Sequence, residues 1–229
     1  MGNSKTKVII VGNGSSLNGS KKGELIDSFD KVVRLNKYLI EGHEEDVGSK
    51  TDVCMLNCKA FVNHFSDDDM ADRLISLEKV FAIIRGDREL SEYIDVKEAH
   101  PIGRIAVGLL ERYDNMEAFD RTLLHLFHDI LGIKTPCIAC ERSSELIITT
   151  GLYAIGYYIK EGYDVSIIGF DSMDLKMKID EHGWDIPIDK LLHYQGHGLL
   201  NVDLEHKIFE EGRWLRGMVG LGIITRLDG

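Results

Sequence analysis

No stretch of this 229-residue chain approaches the about 18–20 consecutive apolar residues of a membrane span, so no transmembrane segment is expected. The opening Met1-Gly2-Asn3-Ser4-Lys5-Thr6 has no apolar core of the signal-peptide kind. It does fit the loose myristoylation pattern through Gly2 and Thr6. The expected location is therefore cytoplasmic, with peripheral attachment at the inner face of a membrane left open. A basic excess is also missing. With 27 Lys and Arg against 38 Asp and Glu, the formal charge is −11, which argues against nucleic acid as a partner. Cysteine is scarce: Cys54, Cys58, Cys137 and Cys140 are all there is. Cys137 and Cys140 form one C-x-x-C, but no second pair completes a four-ligand zinc set and no early strand precedes it as in a thioredoxin-like fold. Reduced core cysteines are the favoured reading, with Cys54 inside a strand. Only three prolines occur, Pro101, Pro136 and Pro187, and no repeat or low-complexity segment is visible.

What remains is an ordinary soluble globule, 44% hydrophobic and 28% charged, of a size for one domain over 1–229. Strands and helices alternate along it. Val8–Val11, Lys31–Leu35, Asp52–Leu56, Val80–Ile84 and Asp164–Gly169 read as buried strands. Lys22–Ser28, Met70–Lys79, Glu117–Leu131, Ser143–Glu161 and Val202–Glu211 read as helices, with a break at Thr149-Thr150-Gly151 in or before the fourth. The glycine-rich tail 217–229 resists assignment. Such alternation predicts an α/β fold: a single Rossmann-like domain with a mostly parallel sheet flanked by helices, its ligands beyond the carboxyl ends of the strands.

The most informative stretch is Val8-Ile9-Ile10-Val11-Gly12-Asn13-Gly14-Ser15-Ser16-Leu17. β-Branched residues run straight into a glycine, asparagine and serine loop, where backbone N–H groups can face an anion. This is almost the dinucleotide fingerprint G-x-G-x-x-G, but Leu17 stands at the third glycine. The acidic residue that binds ribose in a nicotinamide site is also missing, since strand two ends Arg34-Leu35-Asn36. A nicotinamide-dependent oxidoreductase is therefore disfavoured.

Asparagines recur at strand ends: Asn13, Asn36 and Asn57. Their amides offer donors and an acceptor without charge, which suits a sugar, a ribose or a neutral base edge. Taken singly, each is better explained as a turn or capping residue; three in register reverse that and point to one crevice. Downstream, His193-Tyr194-Gln195-Gly196-His197 offers a histidine able to act as general base near neutral pH. Taken alone, either histidine fits a structural role better than a catalytic one. Gly196 and the lack of a third ligand argue against metal. Asp67-Asp68-Asp69 follows no strand and precedes a helix, so it reads as a solvated capping cluster rather than a metal site.

Together these blocks resemble the sialyltransferases, most of all the bacterial enzymes of glycosyltransferase family 42, with echoes of the animal-type family 29. The resemblance runs through Val8–Leu17, Phe29–Asn36, Asp52–Asn57, Thr149–Asp171 and His193–Asp203 in the families' order. It implies a GT-A-type variant of the Rossmann-like fold, CMP-sialic acid as donor, a glycan hydroxyl as acceptor and no metal cofactor. It implies that Asn13, Gly14 and Ser15 lie against the donor, and that Asn36 and Asn57 contact CMP or the sugar. Thr149, Thr150 and Gly151 match a turn that holds the sugar carboxylate. Gly169, Phe170 and Asp171 match a strand end beside the cytidine. His197 matches the catalytic base of a single inverting displacement, His193 belongs to the same donor-site motif, and 172–192 would be a lid. Leu17 then marks a loop that faces one phosphate rather than a pyrophosphate.

Three departures accompany the resemblance. The arginine that precedes the turn in the bacterial family is replaced by Ile147 and Ile148, with Arg142 the nearest substitute. Lid tyrosines are absent, with Lys176 and Lys178 nearby as phosphate or carboxylate contacts. The animal-type paired cysteines are absent as well, as Val8 illustrates. Another CMP-activated acidic sugar such as CMP-Kdo, and a non-catalytic nucleotide-binding module, remain as alternatives. Homo-oligomerisation is open.

Overall fold

A computed structural model of the chain describes residues 4–65, 68–83, 101–119, 149–174, 178–180, 183–185 and 205–228. The described strands are β1 (Lys7–Val11), β2 (Lys31–Leu35), β3 (Val53–Asn57), β4 (Lys79–Ile83), β5 (Met116–Ala118), β6 (Asp164–Ile168), β7 (Lys178–Asp180), β8 (Gly183–Asp185) and β9 (Thr225–Arg226). The described helices are α1 (Gly23–Asp27), α2 (Glu44–Val47), α3 (Cys58–His64), α4 (Asp68–Ser76), α5 (Pro101–Arg112), α6 (Thr150–Lys160) and α7 (Glu205–Gly220). Among them, seven strands form one sheet in the order β5-β4-β3-β2-β1-β6-β9, and β7 pairs with β8 in an antiparallel hairpin. The β1–β6, β2–β3, β3–β4, β4–β5 and β6–β9 pairings are parallel. This is the predicted fold class, a parallel sheet flanked by helices.

The chain divides into two compact units, 1–32 with 38–50 and 155–229, and 33–37 with 51–154. In the first, β1 and β6 run in register from Lys7↔Asp164 to Val11↔Ile168. Strand order reverses here, since β1 leads to β2 on one side while the chain returns as β6 on the other. A doubly wound sheet opens its ligand crevice at such a switch point. The core beneath it comprises Ile9, Val11, Leu17, Ile26, Val32, Val47 and Ile168. Leu17 is fully buried, and a Cβ on Gly169 would lie 2.8 Å from its Cδ1. Gly169, at φ +74°, leaves the space that Leu17 fills. Close packing at the departure from β1 thus depends on a glycine after β6 instead of a third glycine in the loop.

The Asp46 carboxylate accepts N–H bonds from Lys21 (2.9 Å) and Gly19 (2.8 Å), and these hold its pKa below the ordinary 3.8 against desolvation, with lesser help from the charges of His43 and Lys21. A depressed carboxylate contributes stability above its ordinary pKa and loses it as pH falls through the folded value. In an NMR titration the Gly19 and Lys21 amide shifts are expected to move with a midpoint below the ordinary carboxylate value. Asp46→Asn should abolish that acid step.

In the second unit, β2 pairs with β3 from Val33↔Val53 to Leu35↔Met55. β3 pairs with β4 from Val53↔Lys79 to Asn57↔Ile83, and β5 adds Val80↔Met116 to Ala82↔Ala118. Arg34 is fully buried on β2, opposite Cys54, and its Nε donates to Thr51 Oγ1 at 2.9 Å. Cys54 is a free, buried thiol whose pKa burial pushes up, against the opposing charge of Arg34. That is the core role predicted for it.

Several boundaries differ from expectation. Glu117 and Ala118 belong to β5 rather than to a helix, because their backbone completes the edge of β4. Phe119, an anchor of the predicted helix, instead packs its ring 6.2 Å from Phe81 and 5.8 Å from Tyr153; 120–131 lies outside the described residues. α5 was not anticipated. α7 runs on to Gly220, through glycines that made the tail look irregular, and Thr225–Arg226 then joins β6. Asp68 is the first residue of α4, and Asp67 lies outside the described residues. Cys137, Cys140 and 143–148 lie outside the described residues.

Candidate functional site

Within the second unit, β2 and β3 end side by side and bring Asn36 and Asn57 together. Asn36 has φ +51°, a left-handed backbone that asparagine tolerates better than most residues. Four hydrogen bonds hold it there. Its N–H donates to Met55 O at 2.8 Å, and its carbonyl receives His64 Nε2 at 3.2 Å. Its Oδ1 accepts from Asn57 N–H at 2.9 Å and from Thr150 Oγ1 at 3.3 Å. Asn57 Oδ1 caps α3 by accepting from Ala60 N–H at 2.8 Å. Backbone N–H groups are only donors, so these contacts fix which amide atom is oxygen in both side chains. Among the described residues, neither Nδ2 group has a hydrogen-bond partner. Two NH₂ groups held by their own oxygens can bind phosphate, hydroxyl or carbonyl oxygens of a ligand.

Thr149 and Thr150 close the same cluster. Thr149 Oγ1 accepts from Leu152 N–H at 3.4 Å and caps α6, while Thr150 and Gly151 are its first helical residues. The predicted turn is therefore a capped helix N-terminus, the local structure that attracts a carboxylate through its unpaired N–H groups and dipole. Leu152, Tyr153, Ala154 and Ile155 are fully buried along α6 and seat that end firmly.

The switch-point loops of the first unit hold Asn13, Gly14, Ser15, Gly169, Phe170 and Asp171. Gly12 N–H donates to Ile168 O at 2.8 Å and Gly14 N–H to Gly169 O at 2.9 Å. A Cβ on Gly12 would lie 2.2 Å from Gly169 O, and one on Gly14 would lie 2.3 Å from Asp171 Oδ1. Close approach to backbone therefore requires glycine at position 12, whereas a Cβ at position 14 would displace the Asp171 carboxylate. Asp171 latches the loop: its Oδ2 accepts from Ser15 Oγ at 3.2 Å and Ser16 N–H at 3.1 Å, and its Oδ1 accepts from Ser16 Oγ. Asp228 backs this up, lying 3.2 Å from Ser16 Oγ and accepting from Gly169 N–H at 2.6 Å, with Arg226 Nε 2.7 Å away. The loop's N–H groups were expected to face an external anion; those of Gly12, Gly14 and Ser16 are engaged within the protein.

The structure thus joins Asn36, Asn57, Thr149, Thr150 and Gly151 in one cluster, and Asn13, Gly14, Ser15, Gly169, Phe170 and Asp171 in another. Lys178 lies on β7; Arg142, Lys176, His193 and His197 lie outside the described residues. Among the described residues no group of three or more His, Cys, Asp or Glu is arranged to hold a metal. Sequence reasoning missed His64 and Asp228. Nothing in the local pattern marks His64, whose role appears only when α3 folds back on β2. Asp228 sits in the tail that could not be assigned.

A parallel sheet with a β1–β6 switch point defines a Rossmann-like α/β fold. The family model of glycosyltransferase family 29 (sialyltransferase) matches residues 2–211, and the chain belongs to this family. The human type 2 lactosamine alpha-2,3-sialyltransferase is 47% identical over 244 aligned residues, covering 96% of this chain and 64% of that protein. The lactosylceramide alpha-2,3-sialyltransferase of Rattus norvegicus is 43% identical, covering 97% and 57%. The chain therefore spans less than two thirds of these relatives. Among solved structures, a mammalian sialyltransferase in complex with Gal-beta-1-3GalNAc-ortho-nitrophenol shares the fold at TM-score 0.57 and 17% identity, covering 98% of this chain and 70% of that one. The Campylobacter jejuni alpha-2,3-sialyltransferase Cst-I does so at 0.52 and 15%, covering 99% and 77%. Among the described residues no helix is long and apolar enough to cross a membrane.

Proposed function

We propose that this protein is a sialyltransferase that moves sialic acid from CMP-sialic acid to a glycan hydroxyl with inversion. Its first acceptors to test are type 2 lactosamine and the lactosyl headgroup, taken from the names of relatives matched over nearly the whole chain. The observation that carries the reading is the fixed pair of Asn36 and Asn57 amides beside the capped start of α6. Amide donors suit the oxygens of CMP, and a helix N-terminus suits the sugar carboxylate. Asn13, Gly14, Ser15, Gly169, Phe170, Asp171 and His193 contribute to donor binding. Arg142, Lys176 and Lys178 supply cationic contacts, and 172–192 covers the bound donor. CMP is a good leaving group, so His197 has to accept the acceptor's proton while hydrogen bonds stabilise the departing phosphate.

Thermal shift with CMP, CDP, UDP and NAD tests the donor class. Selective stabilisation by CMP is expected, and stabilisation by NAD alone would sink the proposal. Turnover should survive EDTA; loss restored by Mg²⁺ or Mn²⁺ would refute metal-independence. The engagement of the loop N–H groups of Gly12, Gly14 and Ser16 within the protein favours a second reading, a nucleotide-binding module without turnover. CMP binding with no transfer from CMP-sialic acid, CMP-Kdo or another CMP-activated sugar would favour that module.

A further inference from the structure

α3 grips one residue from both of its ends. At its start, the backbone N–H of its cap Asn57 holds the side-chain oxygen of Asn36 at 2.9 Å. At its end, His64 Nε2 holds the main-chain oxygen of Asn36 at 3.2 Å. The carbonyl only accepts, so Nε2 carries the hydrogen. His64 is buried to 6% exposure, and the helix end is anchored by Phe65, whose ring stacks 5.6 Å from Tyr113 and meets Phe61 at 5.4 Å. A helix of seven residues is about 10 Å long and rigid on that scale. Its two grips therefore fix both the backbone and the side chain of Asn36.

We infer that His64 is a positioning residue for donor recognition, acting through Asn36. The left-handed conformation of Asn36 directs its carbonyl away from the path of an ordinary strand, and strained backbone of this kind persists only where its surroundings over-determine it. His64 supplies the donor for that redirected carbonyl. Without it, Asn36 relaxes toward an extended backbone, and the Nδ2 group leaves the orientation set by Asn57 and Thr150. This inference rests on the proposed CMP-sugar reading. It adds a residue outside the strand-end loops that tunes donor affinity without touching the donor.

The test compares His64→Gln, whose Nε2 keeps a donor at similar reach, with His64→Met, which keeps size but no donor. Loss of one net hydrogen bond is worth about 1 kcal/mol, roughly fivefold in affinity. CMP titration should give wild-type affinity for His64→Gln and about fivefold weaker binding for His64→Met, with donor KM rising in step while kcat holds. Selective ¹⁵N-asparagine labelling reads the Asn36 side-chain amide without any ligand; its signal should stay put in His64→Gln and move in His64→Met. If wild type fails to bind CMP, the functional reading falls, and a moved amide signal still establishes the positioning of Asn36. If wild type binds CMP, and neither the affinity nor the amide signal changes in His64→Met, the inference is overturned. Should His64→Met not fold, the wild-type imidazole nitrogens decide. An Nε2–H tautomer that shifts on adding CMP supports the inference, and ring signals indifferent to CMP overturn it.

Discussion

His197→Ala is expected to lower transfer from CMP-sialic acid by roughly 10²–10⁴-fold while leaving CMP binding intact, the range of a lost general base. In the proposed reaction the acceptor is a sugar hydroxyl, a poor nucleophile until its proton is taken. The donor needs little help, because a nucleotide phosphate leaves readily and the anomeric carbon accumulates positive character. A base at the acceptor therefore supplies what the reaction most lacks, and an imidazole with a pKa near neutrality is suited to do so. The effect should fall on kcat rather than on donor KM, since a base that acts on the acceptor binds no part of CMP. Steady-state kinetics with a lactosamine acceptor checks this, and unchanged turnover would remove His197 from the mechanism. His193→Ala is the informative partner. Assigned to donor binding, it should raise donor KM and spare kcat.

The second large effect is structural. Gly12→Ala places a methyl carbon 2.2 Å from the backbone oxygen of Gly169, and no side-chain rotation relieves a clash with backbone. The β1 and β6 ends must separate, which breaks the Gly12 to Ile168 bond at 2.8 Å and the Gly14 to Gly169 bond at 2.9 Å. Two hydrogen bonds at about 1 kcal/mol each and overpacking of about 1–3 kcal/mol sum to about 3–5 kcal/mol. That is a large part of the about 5–15 kcal/mol that holds a domain folded. Gly108→Ala is the control: it lies within α5, where an added Cβ meets nothing within 4 Å. Alanine should stabilise that helix by about 0.5–1 kcal/mol. Urea melts of the two variants should therefore move in opposite directions, and parallel shifts would refute the close-approach argument.

The difference between those glycines shows how far the chain can be read without coordinates. β1, β2, β3, β4 and β6 are buried parallel strands, and each announces itself as a nearly continuous apolar run. β5 and β9 are too short for any period to emerge; only their neighbours' unpaired edges define them. α5 begins at Pro101, a good first helical residue. α7 forms across Gly212, Gly217 and Gly220, where packing of Leu215 and Met218 in the core overrides poor propensity. The strand-end asparagines were legible because position after an apolar run fixes where they lie. The contacts around them were not, because His64 reaches Asn36 across 28 residues, and in the β1 loop Asp228 reaches Ser16 across 212.

The latch on the β1 loop also bears on recombination among relatives. Ser15 and Ser16 come from the start of the chain, Asp171 from the segment after β6, and Asp228 from beyond β9. Three distant stretches of sequence thus behave as one unit of inheritance. A chimera that takes its first strand and loop from one parent and its later segments from another would assemble a foreign lock and key at this corner. Crossovers that keep all three stretches from the same parent should yield folded hybrids far more often.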